Sequence, residues 1–373
     1  MRKVNTLIML MIVGGLVACG GGGSIEQPSN LTPPAKPLSW QPTSGGNWPV
    51  SPPAAEGINQ NQLVAAYTAG TAIGGLRALL VLRRGQLVAE AYYGEQNAAT
   101  LFALGAVTNT VVADLIGIAI AERKISSINQ PISDFLSRDY GSLLSNKGDI
   151  TIAHLLAMSS GISWNETTGN SYQAFLGDVD PTRYVLQQAM LNTPGSRFNY
   201  NSGAAHLLSV ILTKATGMST LQYAQKVLFT PLGITQSQWD ILADGYVNGA
   251  GGLALSARDF AKIAVLWQQQ GVWQGKRLLP AGWSETTLSS QQPREQNIGG
   301  LPIVGYGFGR WLAKPSQNSQ TALAWGAGGQ FALVLTPLDA TVISLADPAA
   351  SNRNQQEGNI MRLIYQQLLP AFQ

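Results

Sequence analysis

Phe102-Ala103-Leu104-Gly105-Ala106-Val107-Thr108-Asn109-Thr110-Val111-Val112-Ala113-Asp114-Leu115-Ile116-Gly117-Ile118-Ala119-Ile120-Ala121 is the stretch on which the reading of this chain turns. From Val107 to Ala121 it is almost continuously apolar and follows a glycine, which predicts a buried helix. Asp114 lies inside that run, and a buried carboxylate needs a partner that the local sequence does not name.

Outward from this helix, Leu76 to Leu82 and Gln86 to Tyr92 are β-rich runs joined at Arg84-Gly85 and read as a hairpin. On the other side come helical pieces. Ile152 to Met158 ends at Ser159-Ser160-Gly161, and Asp180-Pro181 supplies an N-cap followed by proline at the first helical position. Ala204 to Thr216 stops at Gly217, Ser219 to Phe229 stops before Pro231, and Ser256 with Asp259 opens a helix to Gln270. Phe308 to Ala313, Gln330 to Thr336 and Thr341 to Ala346 are β-like, and Asn354 to Leu368 reads as a closing amphipathic helix. Strands, helices, strands and a last helix predict one α/β (α+β) body over 56–373. Its α/β part takes 56–105 and 262–373, and a mainly helical part takes 106–261.

The N-terminus reads differently. Arg2 and Lys3, the apolar run Leu7 to Leu16 and the small residues after it have the order of a secretory signal over 1–18, and the run is too short to span a bilayer. Leu16-Val17-Ala18-Cys19 resembles a bacterial lipobox, which implies acylation of Cys19 and anchoring to a membrane. The alternative is an ordinary cleavage near Ala18. Gly20 follows where an inner-membrane retention Asp is absent, so by analogy the expected location is the outer membrane of a Gram-negative-type cell envelope. Gly20 to Pro53 carries eight of the 19 prolines and a four-glycine run, and residues 19–55 are expected to act as a tether.

Composition excludes some functions. Removing the signal leaves 21 basic and 20 acidic residues, about +1, which gives no footing for nucleic acid. Cys19 is the only cysteine, so no disulfide or thiol chemistry is expected in the domain. With His154 and His206 on different helices a metal site is poorly supplied, and no cofactor is implied.

Several stretches, in order, resemble the serine β-lactamase and penicillin-binding-protein-like hydrolases, nearer the esterase and amidase branch that includes 6-aminohexanoate-dimer hydrolase. They are Leu79 to Gly85 with Glu90 and Tyr92, Phe102 to Ala121, Ile150 to Gly161, and Phe198-Asn199-Tyr200-Asn201-Ser202. Pro231 to Ile234, Gly251-Gly252-Leu253 with Ala257-Arg258-Asp259, and Ala324-Trp325-Gly326-Ala327-Gly328-Gly329-Gln330 complete the set. The resemblance implies an antiparallel sheet flanked by helices with an inserted helical sub-domain. It also implies acyl transfer by a serine whose proton is taken by a lysine three residues on, the S-x-x-K pattern.

That pattern is absent. The matching positions read Ala106-Val107-Thr108-Asn109, and none of the nine lysines has a serine three residues before it. Alanine offers no nucleophile and an amide is no base at neutral pH. Thr108, about 200° round the helix from position 106, should face elsewhere, whereas Thr110, roughly 40° off, grazes the expected pocket. Ser202 is the other alternative nucleophile, or a hydroxyl lining the pocket. The resemblance implies that Tyr200 is retained as a hydrogen-bond donor, and that Gly326, Gly328 and Gly329 let a strand approach a ligand and offer an oxyanion-type donor. The leading expectation is an inactive hydrolase domain that binds a small-molecule or peptide ligand or a partner. An esterase or amidase with an atypical nucleophile, and a scaffolding lipoprotein of the cell envelope, are the alternatives.

Overall fold

A computed structural model describes residues 38–43, 45, 48–166, 168–316 and 319–373. The expected signal, Cys19 and the first part of the tether lie outside the described residues.

The centre is an eight-stranded, wholly antiparallel sheet. From one edge to the other the strands are Gln86–Tyr92, Leu76–Arg83, Ala340–Ala346, Gln330–Leu335, Ser319–Gly326, Trp311–Ser316, Leu301–Tyr306 and Gln292–Ile298. The first two form the predicted hairpin. Arg84 (φ 49°) and Gly85 (φ 73°) are both left-handed, the two-residue turn that matches strand twist. The chain's last strand, Ala340–Ala346, lies beside Leu76–Arg83, so the two ends of the domain are knitted together.

Strand alternation sorts side chains between two cores. Ala78, Leu80 and Leu82 face one, with the helices Thr108–Ala121, Ser202–Thr216 and Ala257–Gln268. Leu79 and Val81 face the other, with Gln60–Gly70 and the C-terminal segment Arg353–Leu368. The inserted part runs between strands Leu101–Ala103 and Leu253–Ser256, which pair with each other, and Leu253–Ser256 also pairs with Gln238–Trp239. Because Ala257–Gln268 lies on the large sheet, the α/β part resumes before residue 262.

The helix Thr108–Ala121 is buried almost all round. Gly117 allows this, since a Cβ there would lie 2.4 Å from the Trp283 ring. Asp114 finds its partners far along the chain: the Arg310 guanidinium and the Trp267 indole each donate to it at 2.5 Å. Burial lifts its carboxyl above the ordinary aspartate value, opposed by Arg310. Arg310 is drawn inward after the left-handed Gly309 (φ 69°), which is why the strand expected from Phe308 begins at Trp311.

The expected tether is corrected over 38–55. The Trp48 ring is buried edge-on against Trp273. The Trp40 carbonyl accepts from the Glu90 N–H and the Pro49 carbonyl from the Leu87 N–H. Arg258, paired with Glu90, also donates to the carbonyls of Thr43 and Gly45. The folded unit begins at Leu38, because two tryptophans outweigh the prolines around them. No described helix is long and apolar enough to cross a membrane.

Candidate active site

The turn Gly105–Val107 leads into the helix Thr108–Ala121 and carries Ala106, half-buried, with Asn109 three residues on. A Cβ on Gly326 would lie 2.4 Å from the Leu104 carbonyl, and one on Gly105 would lie 3.8 Å from the Ala327 nitrogen. The turn bearing Ala106 therefore abuts the end of strand Ser319–Gly326.

Asn109 meets Tyr200, as a side chain at the lysine position would. Its amide is satisfied when Oδ1 accepts from the Tyr200 hydroxyl at 2.6 Å and Nδ2 donates to the carbonyls of Gly249 (3.1 Å) and Ala250 (3.3 Å). Burial pushes the Tyr200 hydroxyl well above the ordinary tyrosine value, so it stays protonated and donates. The positions expected to hold nucleophile and base thus hold a methyl group and an amide with every polar atom engaged.

The other candidates separate on the same test. Thr108 is fully buried. Thr110 does not graze an open pocket: it is buried, and its hydroxyl donates to the Gly309 carbonyl at 2.7 Å. Ser202 opens the helix Ser202–Thr216, which Asn201 caps by accepting from the Ala204 N–H. Its hydroxyl donates to Glu166 at 2.5 Å, and its N–H donates to the same carboxylate at 3.2 Å. Glu166 also accepts from the Trp164 indole.

The third motif has similar internal closure. The Gly328 N–H, expected as an oxyanion donor, is taken by Glu357 at 2.6 Å, and the Trp325 indole donates to the other oxygen of that carboxylate at 3.0 Å. The Gly329 N–H points back to Gly326 O at 3.3 Å, and its carbonyl accepts from Ser344. Both histidines have structural partners. His154 Nδ1 accepts from the Thr151 N–H in a capping box, and buried His206 faces Thr182 and Asp244. Among the described residues no three His, Cys, Asp or Glu side chains gather as a metal site would require.

Sequence reasoning missed Glu166 and Glu357, which reach the site from other segments and follow no local spacing. It also missed a row of aromatic rings. Tyr200 stacks parallel to Trp311 at 6.0 Å, and Trp311 lies 5.9 Å from Phe198 and 5.4 Å from Trp325.

Comparison with known proteins agrees with this fold. A sequence model of the β-lactamase family matches residues 61–359. A 6-aminohexanoate-dimer hydrolase of Paenarthrobacter ureafaciens is 24% identical over 228 residues, a match that spans 57% of each protein. Among solved structures, a candidate 6-aminohexanoate-dimer hydrolase from Bacillus anthracis superposes with a TM-score of 0.67 at 18% identity, covering 89% of this chain and 91% of its own. A penicillin-binding protein from Bacillus halodurans gives 0.63 at 18% identity, covering 80% and 98%. With the antiparallel sheet, the helix-borne pair of positions and Tyr200 in place, the chain belongs to the β-lactamase family of serine hydrolases.

Proposed function

We propose that this protein is an exported lipoprotein, acylated at Cys19, whose hydrolase-family domain holds a small ligand or partner without acylating it. One observation carries the reading: Ala106 and Asn109 occupy the nucleophile and base positions, and the Asn109 amide is closed on Tyr200, Gly249 and Ala250. In a serine hydrolase of another fold, losing the serine alone costs about 10⁶ in turnover.

Restoring both groups is the test. The Ala106→Ser, Asn109→Lys double variant is expected to label with a fluorophosphonate or penicillin-type probe and to hydrolyse p-nitrophenyl esters. The wild-type protein is expected to do neither, and wild-type turnover well above background would overturn the proposal. Linear amides belong in the same assay, because the curated relative is a 6-aminohexanoate-dimer hydrolase. For the anchor, Cys19→Ala is expected to abolish incorporation of labelled fatty acid and to release the protein from the membrane fraction.

A second reading is favoured by the Ser202–Glu166 contact. Glu166 would take the Ser202 proton as the hydroxyl attacks. Against it, that carboxylate already accepts from the Ser202 N–H and from Trp164, and Ser202 is only 3% exposed. Wild-type turnover abolished by Ser202→Ala would establish it.

A further inference from the structure

The polar groups around the catalytic positions are turned inward. Asn109 is closed on Tyr200 and two carbonyls, Thr110 on Gly309, Ser202 on Glu166, and Gly328 on Glu357. What the site offers outward is ring surface. Phe198, Tyr200, Trp311 and Trp325 are each partly exposed, and they continue one another from the Asn109 side of the site. Tyr306 is buried behind them, edge-on to Trp311 at 5.0 Å and to Tyr200 at 6.3 Å, and keeps the row from collapsing inward. At the far end the exposed Arg294 guanidinium sits 4.9 Å over the Phe198 ring, and it pairs with no carboxylate among the described residues.

We infer that this row is the ligand site and that its ligand is an aromatic ring bearing a carboxylate, stacked on Trp311 and Phe198 with its charge at Arg294. The inference rests on the reading of the domain as one that holds a ligand, and it names the class held. With Asn109, Thr110, Ser202 and the Gly328 N–H engaged inside the protein, stacking on the exposed ring surface is the interaction these four rings offer a ligand. Arg suits the charged end, since its planar guanidinium can lie on a ring and still present N–H groups to a carboxylate.

The test titrates the full-length protein with N-acetylphenylalanine, with N-acetylphenylalanine amide and with N-acetylglycine, following tryptophan fluorescence and calorimetry. The acid should bind most tightly and N-acetylglycine should not bind measurably. Arg294→Gln should weaken the acid about two- to fivefold, the range of an exposed ion pair, and leave the amide unchanged. Trp311→Ala should weaken acid and amide alike by tenfold or more. Trp311→Phe, which keeps a ring and the fold, should recover most of that loss. Equal binding of acid and amide, or binding indifferent to Trp311, overturns the inference. Hexanamide and p-nitrophenyl acetate form the control arm. Hexanamide binding lost in Tyr200→Phe, with no aromatic acid bound, would sink the aromatic class and leave the holding function standing. Acylation of the wild-type protein by p-nitrophenyl acetate would sink the holding function itself.

Discussion

Asn109 and Asp114 lie five residues apart on one helix, both buried, and the fold treats them in opposite ways. At Asn109 a neutral side chain is satisfied by neutral neighbours, a tyrosine hydroxyl and two carbonyls. At Asp114 a charge is carried into the core and met by Arg310, 196 residues away, with the Trp267 indole on its second oxygen and the guanidinium 4.6 Å over the Trp267 ring. The Asn109 position supports nothing beyond its own hydrogen bonds. The Asp114 position fastens the segment before Trp311 to the central helix, and so sets where the aromatic row stands. The hydrogen bonds of the first turn stay local, while the scaffold depends on the second turn.

Removing one partner of the buried pair should break this contrast most strongly. Asp114→Ala leaves the Arg310 charge uncompensated and is expected to cost about 3–5 kcal/mol in denaturant unfolding. Asp114→Leu with Arg310→Met should recover much of that loss. If the single variant unfolds like the wild type, the pair does not organise the core.

A smaller effect is expected at Asp244, a buried carboxylate outside the catalytic positions. Burial pushes its pKa up, but hydrogen bonds from His206 and Thr182 outweigh this and hold it at about 2, against an ordinary 3.8. The folded value is depressed, so the stabilisation is present above the unfolded pKa and is lost as pH falls from about 4 towards 2. It amounts to about 2 kcal/mol. Asp244→Asn should flatten that acid limb of the stability profile, and an unchanged limb would show that the titrating group lies elsewhere.

The catalytic positions should respond least. Tyr200→Phe strips the donor from Asn109 and is expected to cost about 1 kcal/mol. Ala106→Ser alone should stay within about 0.5 kcal/mol of wild type in thermal unfolding. A large loss in either would mean that the catalytic positions have been taken over by the core.

The sequence revealed the parts of this molecule whose signals are local. The hairpin at Arg84-Gly85, the buried helix and the caps at Asp180 and Ser256 follow from apolar runs and from residues that close their own turns. The edge strand Gln292–Ile298 and its neighbour Leu301–Tyr306 were missed, because a half-exposed strand reading Gln-Pro-Arg-Glu-Gln-Asn lacks alternation. Ala106, Asn109 and Tyr200 were found through the resemblance of their motifs to those of the family. Arg310, Glu166 and Glu357 were not, because each meets its partner only after the chain has folded back. The proline-rich stretch before Glu56 misled for a related reason: composition shows that a segment resists helix and strand, not that Trp40 and Trp48 dock it.

That docked stretch has a consequence for handling the protein. Gln86–Tyr92 is the outermost strand on its side of the sheet, and its free N–H groups at Leu87 and Glu90 are answered by Pro49 and Trp40 of the same chain. The chain caps its own edge, and an uncapped edge strand is a template for pairing with another molecule. A protein trimmed to begin at Ser51 would keep the catalytic positions and lose that cap. Self-association of such a fragment would report on a missing dozen residues at the rim of the sheet rather than on the natural oligomeric state.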